Sequence, residues 1–369
     1  MLEKIKHPHL FGISFLIILG LILFFFLSPE AKSTLRIIDV HEHIESLNKA
    51  RILAEVDQEL NIEQTSLLVS PIETITLNGN KSFTHYRENA DEILKIAEEF
   101  PDRFLPFCTV SPLDTDALEY IKECIDRGGK GIKLYNGHSY YYDVFNMPLD
   151  SPRMMPIYAY AERNNIPVLY HINITKFGDE LENILKEYPD LTVDVPHFMV
   201  SSINIEEVEE LFDKYPNLYT DISFGSPQYL AAGFRRISNN IQKYKDFMNK
   251  YPDRILFGSD MVITEVEWKD ADFMKKTLKC YRDILENDTF TCNPVNEYYK
   301  NEADKYTQSF ANCKPKEGRY CISQGDKAES RTRWYQETKT LNGLGLDDET
   351  LQKIYWENPL RFLSANQTS

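Results

Sequence analysis

Positive charge is in short supply in this chain of 369 residues. Lysine and arginine number 41 against 57 aspartates and glutamates, for a net charge of -16 at pH 7. Binding to a phosphate backbone depends on Lys and Arg neutralising phosphates, so this deficit excludes nucleic acid as a main partner. Also missing is an A-x-A-like cleavage site close behind residues 10–27, an unbroken run of apolar, Gly and Ser residues. As a helix rising ~1.5 Å per residue the run reaches about 27 Å, enough to span a bilayer. It is longer than the ~7–15 residues of a signal-peptide core. The expectation is an uncleaved signal anchor over residues 1–28, one N-terminal transmembrane helix, followed by a short polar linker at 29–34. Lys4, Lys6 and His7 keep the short N-terminus in the cytoplasm, which places the rest of the chain on the periplasmic or extracellular side of the membrane. The alternatives are a cleaved signal that releases a secreted protein, and a buried helix.

Cysteines number six. Cys108 lies in an apolar strand and Cys124 on a helix, and both are read as buried thiols. Residues 287–331 are polar and tyrosine-rich and carry Cys292, Cys313 and Cys321. In an oxidising compartment two of these, or one of them with Cys280, would form a disulfide whose pairing the sequence does not fix.

The composition, 42% hydrophobic and 27% charged, is that of a globular protein able to bury a large core. Short apolar runs near 36–41, 65–69, 104–110, 131–135, 166–171, 191–196, 218–222 and 254–259 alternate with helix-like segments. That is the pattern of repeated βα units around a parallel sheet. The expected helices cover 48–60, 85–100, 114–127, 152–164, 179–188, 205–215, 229–251 and 268–285. A further helix pair at 347–363 breaks at Asn358-Pro359, and the segment 287–331 inserts after the eighth helix. Residues 35–369 are thus expected to form one α/β domain, a (β/α)8 TIM barrel.

The first strand-like run ends in Asp39-Val40-His41-Glu42-His43. In an extended strand residues i and i+2 share a face, so two imidazoles can meet one metal ion; a surface or satisfied core pair is the plain alternative. His171, His197 and Asp260 each close a later run, and a parallel barrel gathers all such strand ends on one face.

In this order the motifs DVHEH, GIKLY, PVLYH, VPH, RILFGSD and ENPLRF, from about Arg36 to Leu363, resemble the metal-dependent amidohydrolase superfamily. Within it they are similar to the branch that includes aminocarboxymuconate-semialdehyde decarboxylase. The resemblance implies that His41, His43, His171 and Asp260 bind metal, with His197 a further ligand or a water-activating neighbour. Imidazole and carboxylate suit zinc with an open position for water. Bound zinc brings the water pKa to about 7, and as catalytic residues Asp260 takes the proton from the water and passes it to the leaving group while His197 polarises or orients. Lys133 is expected to point into the barrel, as a cationic contact to substrate or a buried ion-pair partner beside one Zn2+. Its carboxylated form bridging two ions is the alternative. His138 and Tyr140, on the loop after the fourth strand, and Arg153 are candidate substrate contacts. The implied activity is hydrolysis of a small molecule by a metal-activated water. The alternatives are decarboxylation of a small carboxylic acid, and an inactive barrel used for binding.

Overall fold

The computed structural model describes residues 35–364 apart from 77–82, 201, 203, 299 and 302–338. The expected anchor at 1–28, the linker at 29–34, most of the insertion, Cys313 and Cys321 lie outside the described residues. Among the described residues no helix is long and apolar enough to cross a membrane.

Eight strands form: β1 (Ile37–Glu42), β2 (Ile62–Leu68), β3 (Phe104–Cys108), β4 (Gly131–Gly137), β5 (Val168–Ile172), β6 (Val193–Asp194), β7 (Leu218–Asp221) and β8 (Ile255–Leu256). They stand side by side in chain order, each parallel to the next. Closure comes from beyond β8: Phe257 O accepts from Val40 N at 3.0 Å, Asp260 N donates to His41 O at 2.7 Å, and Ile263 N donates to His43 O at 2.8 Å. The result is the expected closed eight-stranded parallel barrel. Buried on both faces, its strands read as near-continuous apolar runs, and so they were legible one by one.

Around the barrel run α1 (Leu47–Glu59), α2 (Tyr86–Glu99), α3 (Ala117–Asp126), α4 (Met155–Arg163), α5 (Ile174–Glu187), α6 (Ile205–Lys214), α7 (Pro227–Asn239), α8 (Ile241–Lys250) and α9 (Ala271–Glu286). The single helix expected over 229–251 is two, α7 and α8, broken at Asn240 (φ -137°, ψ 41°). The Asn240 side chain donates to Arg236 O at 2.8 Å, a local bond to the backbone that competes with helix continuation.

The barrel floor packs Ile38, Val40, Leu68, Phe107, Leu169, Tyr219 and Leu256 into one cluster closed by Phe362. Phe362 arrives on the C-terminal segment, where the expected break is absent. The helical path runs on from Asp348–Gln352 through a wide π turn, Lys353–Glu357, into Asn358–Leu363. Pro359 sits in the first turn after the π turn, where a missing N–H is tolerated. Buried Asn358 donates to Pro252 O (2.8 Å) and Ile255 O (2.9 Å), fastening this segment to β8.

The reading of Cys108 and Cys124 as thiols is corrected: they form a disulfide between β3 and α3, with Cα atoms 6.1 Å apart. The return from α3 to β4 is tight enough that a Cβ on Gly129 would lie 2.4 Å from the Cys108 sulfur, and strand and helix periodicity carry no trace of that closeness. Cys280 pairs with Cys292, one of the pairings left open. This bond ties α9 to the end of β9 (Thr289–Thr291), which forms an antiparallel ribbon with β10 (Thr340–Asn342), so the first residues of the expected insertion are part of a strand.

Candidate active site

The strand ends converge on a cavity of about 560 Å³ whose walls include His41, His43, Lys133, His171, His197 and Asp260. Ile38 and Val40 point to the barrel core, so unbroken alternation would send His41 and His43 outward. A register irregularity between Asp39 and Glu42 reverses the faces. The Asp39 carboxylate bridges this bend, accepting from His41 N (3.0 Å) and Ser259 N (3.1 Å).

Each imidazole is then turned by a bond at its inner nitrogen. His41 Nδ1 lies 2.6 Å from Asp221 Oδ2, His43 Nδ1 2.5 Å from Ser70 Oγ, and His197 Nδ1 2.9 Å from Ser223 O and 2.8 Å from Ser223 Oγ. The three Nε2 atoms are left facing the Asp260 carboxylate, at 3.6 Å (His41), 3.2 Å (His43) and 3.6 Å (His197). Burial holds His41 down at about 4, with Lys133 adding to the shift, and burial likewise lowers His43 and, more strongly, His171. Burial pushes Asp260 up, but His41, His43 and His197 outweigh it and hold its carboxyl well below the usual carboxylate range. His41, His43 and His171 are therefore neutral beside an ionised Asp260, the protonation states that metal ligands need.

Ligand atoms of His41, His197 and Asp260 all lie within 4.8 Å of one another. Although His43 Nε2 is at 3.2 Å, its direction gives buried Asp260 Oδ1 no formal hydrogen bond. An orphaned buried carboxylate oxygen among Nε2 lone pairs fits a divalent ion, and the inner-nitrogen partners are the outer layer that such ions use to orient their ligands. His171 stands beside them, its ring centroid 5.0 Å from that of His197 and 4.6 Å from that of His138.

Two of the anchoring residues sit on strained backbone. His197, Phe198, Met199 and Val200 all have positive φ (62°, 51°, 58° and 56°), as do Asp260 (48°) and Val262 (53°). Left-handed conformations cost L-residues roughly 1–2 kcal/mol each and are not normally found in succession. They persist where the surroundings over-determine them. Here Asp221 Oδ1 accepts from His197 N at 2.9 Å, and Thr220 Oγ1 accepts from Met199 N at 3.2 Å.

Lys133 points inward as expected and is fully buried. Its Nζ is 3.4 Å from His41 Nε2 and 5.0 Å from the Tyr135 ring centroid. Burial lowers it to about 8, against the pull of Asp260, Asp221 and Asp194. His138 lines the cavity and is lowered to about 4 by burial and then by His197. The Tyr140 side chain lies outside what is described. Arg153 is exposed at the start of α4 and is not part of the cavity wall; the arginine on that wall is Arg236 of α7.

The sequence reading missed Asp221, which accepts from His197 N, Ser223 N (3.0 Å) and Ser223 Oγ (2.6 Å) besides holding His41. A signal was there, since Asp221 closes the run Leu218-Tyr-Thr-Asp221 just as Asp260 closes its own. Also missed were Ser70, Ser223 and Glu42. Buried Glu42 accepts from His43 N, Ser259 Oγ and Met261 N, and burial followed by Asp260 raises it to about 8.

With fold and site in view, the chain belongs to the amidohydrolase family, whose model matches residues 38–281. Members of this superfamily are metal-dependent enzymes. Among curated proteins none matches the chain. Similar solved structures include a 2,6-dihydroxybenzoate decarboxylase complexed with 2,6-dihydroxybenzoate (15% identity, TM-score 0.47, covering 89% of this chain and 99% of that one). Another is 4-oxalomesaconate hydratase from Rhodopseudomonas palustris (14% identity, TM-score 0.49, covering 90% and 96%).

Replacing Asp221 by Asn should leave the barrel folded but weaken metal binding about 10–100-fold, the scale for lost outer-layer partners; titration calorimetry with Zn2+ or Mn2+ reads this directly, and an unchanged affinity would remove Asp221 from the site. Glu42 gives a prediction in pH. With its carboxyl at about 8 in the folded chain against 4.5 ordinarily, the folded state holds a proton that the unfolded chain releases, so its contribution to stability is full below about 4.5 and is lost as pH rises through about 8. In chelator-treated protein, Glu42→Gln should flatten the fall in melting temperature across that window. A slope equal to the wild type's would show that Glu42 does not titrate there.

Proposed function

We propose that the chain is a metal-dependent hydrolase acting on a small molecule through one divalent ion, zinc by the chemistry of its donors, held by His41, His197 and Asp260 with His43 and His171 beside them. The observation that carries this reading is the convergence of the Nε2 atoms of His41, His43 and His197 on an ionised Asp260 inside a 560 Å³ cavity. When bound, such an ion polarises a carbonyl and lowers the pKa of water to about 7. Asp260, held as a carboxylate among the imidazoles, would serve as the general base that takes a proton from the attacking water and returns it to the leaving group. His197, its ring fixed through Nδ1 on Ser223, would offer its remaining nitrogen, Nε2, to the ion. The ligand atoms of His41, His197 and Asp260, all within 4.8 Å of one another, suit one ion; a pair bridged by carboxylated Lys133 is the alternative.

A second reading, decarboxylation of a small carboxylic acid, draws on Lys133. Among the described residues no carboxylate lies within ion-pair distance of this buried amine, which leaves it to meet a substrate carboxylate beside the ligands. An inactive binding barrel is not favoured, because every ligand type is in place.

The two readings separate on products. Acid or alcohol released from amides, esters or lactones supports the first, and CO2 from an unesterified acid supports the second. Asp260→Ala should lower turnover about 10²–10⁴-fold together with metal content, and Lys133→Ala should keep one ion per chain by elemental analysis. Full turnover in Asp260→Ala sinks the reading, and two ions in the wild type that fall on loss of Lys133 replace it with the bridged pair.

The two disulfides fit an oxidising compartment, and the apolar run at 10–27 fits an anchor to the membrane, with the barrel periplasmic or extracellular. Deleting residues 1–29 should move the protein from the membrane to the soluble fraction. Intact chain in the soluble fraction of unaltered cells would count against the anchor.

A further inference from the structure

Helix α7 builds one wall of the cavity with a single face: Tyr229, Ala232, Gly233 and Arg236, spaced i, i+3, i+4 and i+7, all line it. The helix starts beside the metal ligands. Gly225, two residues ahead of Pro227, has φ +77°, and a Cβ there would lie 2.9 Å from Asp260 Oδ2. From that end it rises about 14 Å to Arg236, at ~1.5 Å per residue. Between the two ends the face is small: Ala232 projects one methyl, and Gly233 has no room for a Cβ, which would sit 2.5 Å from the Phe224 ring. The cavity thus runs from the ligand cluster along a flat stretch of α7 to a guanidinium.

That guanidinium is positioned but not neutralised. Arg236 Nη1 donates to Ser202 Oγ, and buried Ser202 is itself pinned by Tyr244, whose hydroxyl donates to Ser202 O. One donor of five is used. Among the described residues no carboxylate lies within ion-pair distance of Arg236. Besides Asp260 at the ligand cluster, the cavity wall carries Glu73, which is engaged by Thr84 donating to it through N at 3.2 Å and through Oγ1 at 2.5 Å. A cation held in a partly buried wall with free planar donors suits a bidentate oxyanion.

We propose that Arg236, with Ser202, is a specificity determinant that binds a terminal oxyanion of the substrate, such as a carboxylate, at the end of the cavity remote from the reacting group. The substrate is then an elongated molecule, apolar or aromatic in its middle against Phe224 and the small face of α7, with its reacting group at the ligand cluster. This rests on the reading that the reacting end lies at the metal ligands.

The test measures binding to the metal-loaded full-length chain by calorimetry, using aromatic monoacids and their para-extended diacids of increasing length: benzoate and terephthalate, 2-naphthoate and 2,6-naphthalenedicarboxylate, 4-biphenylcarboxylate and 4,4'-biphenyldicarboxylate. At least one diacid should bind about tenfold more tightly than its monoacid, the scale of a charge-assisted hydrogen bond. Arg236→Gln should abolish that advantage while leaving the monoacid affinity unchanged, and Arg236→Lys should keep part of it. Thermal melts establish that each variant is folded, and Arg236→Lys serves as the test if Arg236→Gln is not. No advantage for any diacid in the wild type, or an advantage that survives Arg236→Gln, overturns the proposal. His41→Ala separates the two readings: monoacid binding unaffected by it removes the metal end, while the Arg236-dependent difference between diacid and monoacid is still read independently.

Discussion

The site depends on one buried carboxylate, that of Asp221. Fully removed from solvent, it accepts from the His41 ring, the His197 backbone and both donors of Ser223, and Ser223 in turn fixes the His197 ring. Burial alone would push its pKa up. The neighbouring imidazoles and the Ser223 hydroxyl outweigh this and hold it down at about 2. A charge kept in a dry interior must be met by donors from every side. Meeting them fixes the tautomer of two imidazoles at once, which is what turns their Nε2 atoms toward Asp260.

A second constraint lies on the opposite side, in the chain after β8. Asp260 and Val262 both have positive φ, a conformation costly for a β-branched residue. The carbonyls of Met261 and Val262 are gripped by the buried ammonium of Lys269. Lys49 of α1 in turn donates to Lys269 O at 2.8 Å and Val266 O at 3.3 Å. The strand-end loop that carries the key carboxylate is thus clamped from two elements, and the left-handed turn at 197–200 is held by β7 in the same manner. Rigid strands supply the positions, and the irregular backbone beyond them supplies the orientation.

The cavity combines these with an uneven distribution of charge. Lys133 stands among the ligands and Arg236 at the far wall, while the chain as a whole carries -16. Overall acidity therefore says little about this pocket. Local burial and local partners set its potential, and they leave it with two cations among the described residues that have no carboxylate at ion-pair distance.

The eight strands and the gathering of His41, His43, Lys133, His171, His197 and Asp260 on one cavity were legible in the sequence. Parallel strands buried on both faces announce themselves as apolar runs, and barrel closure brings their ends together whatever the loops do. The sequence could not show how each ring is turned. That followed from a register slip in β1, from Asp221 at the end of a strand 180 residues away from His41 and Ser223 just beyond it, and from Ser70 beside His43. Nor could periodicity place Arg236 on the cavity wall, pair Cys108 with Cys124, or carry a helix through Asn358-Pro359. Those outcomes rest on contacts between elements distant in the chain, where the packing of one element against another, and no local preference, selects the conformation.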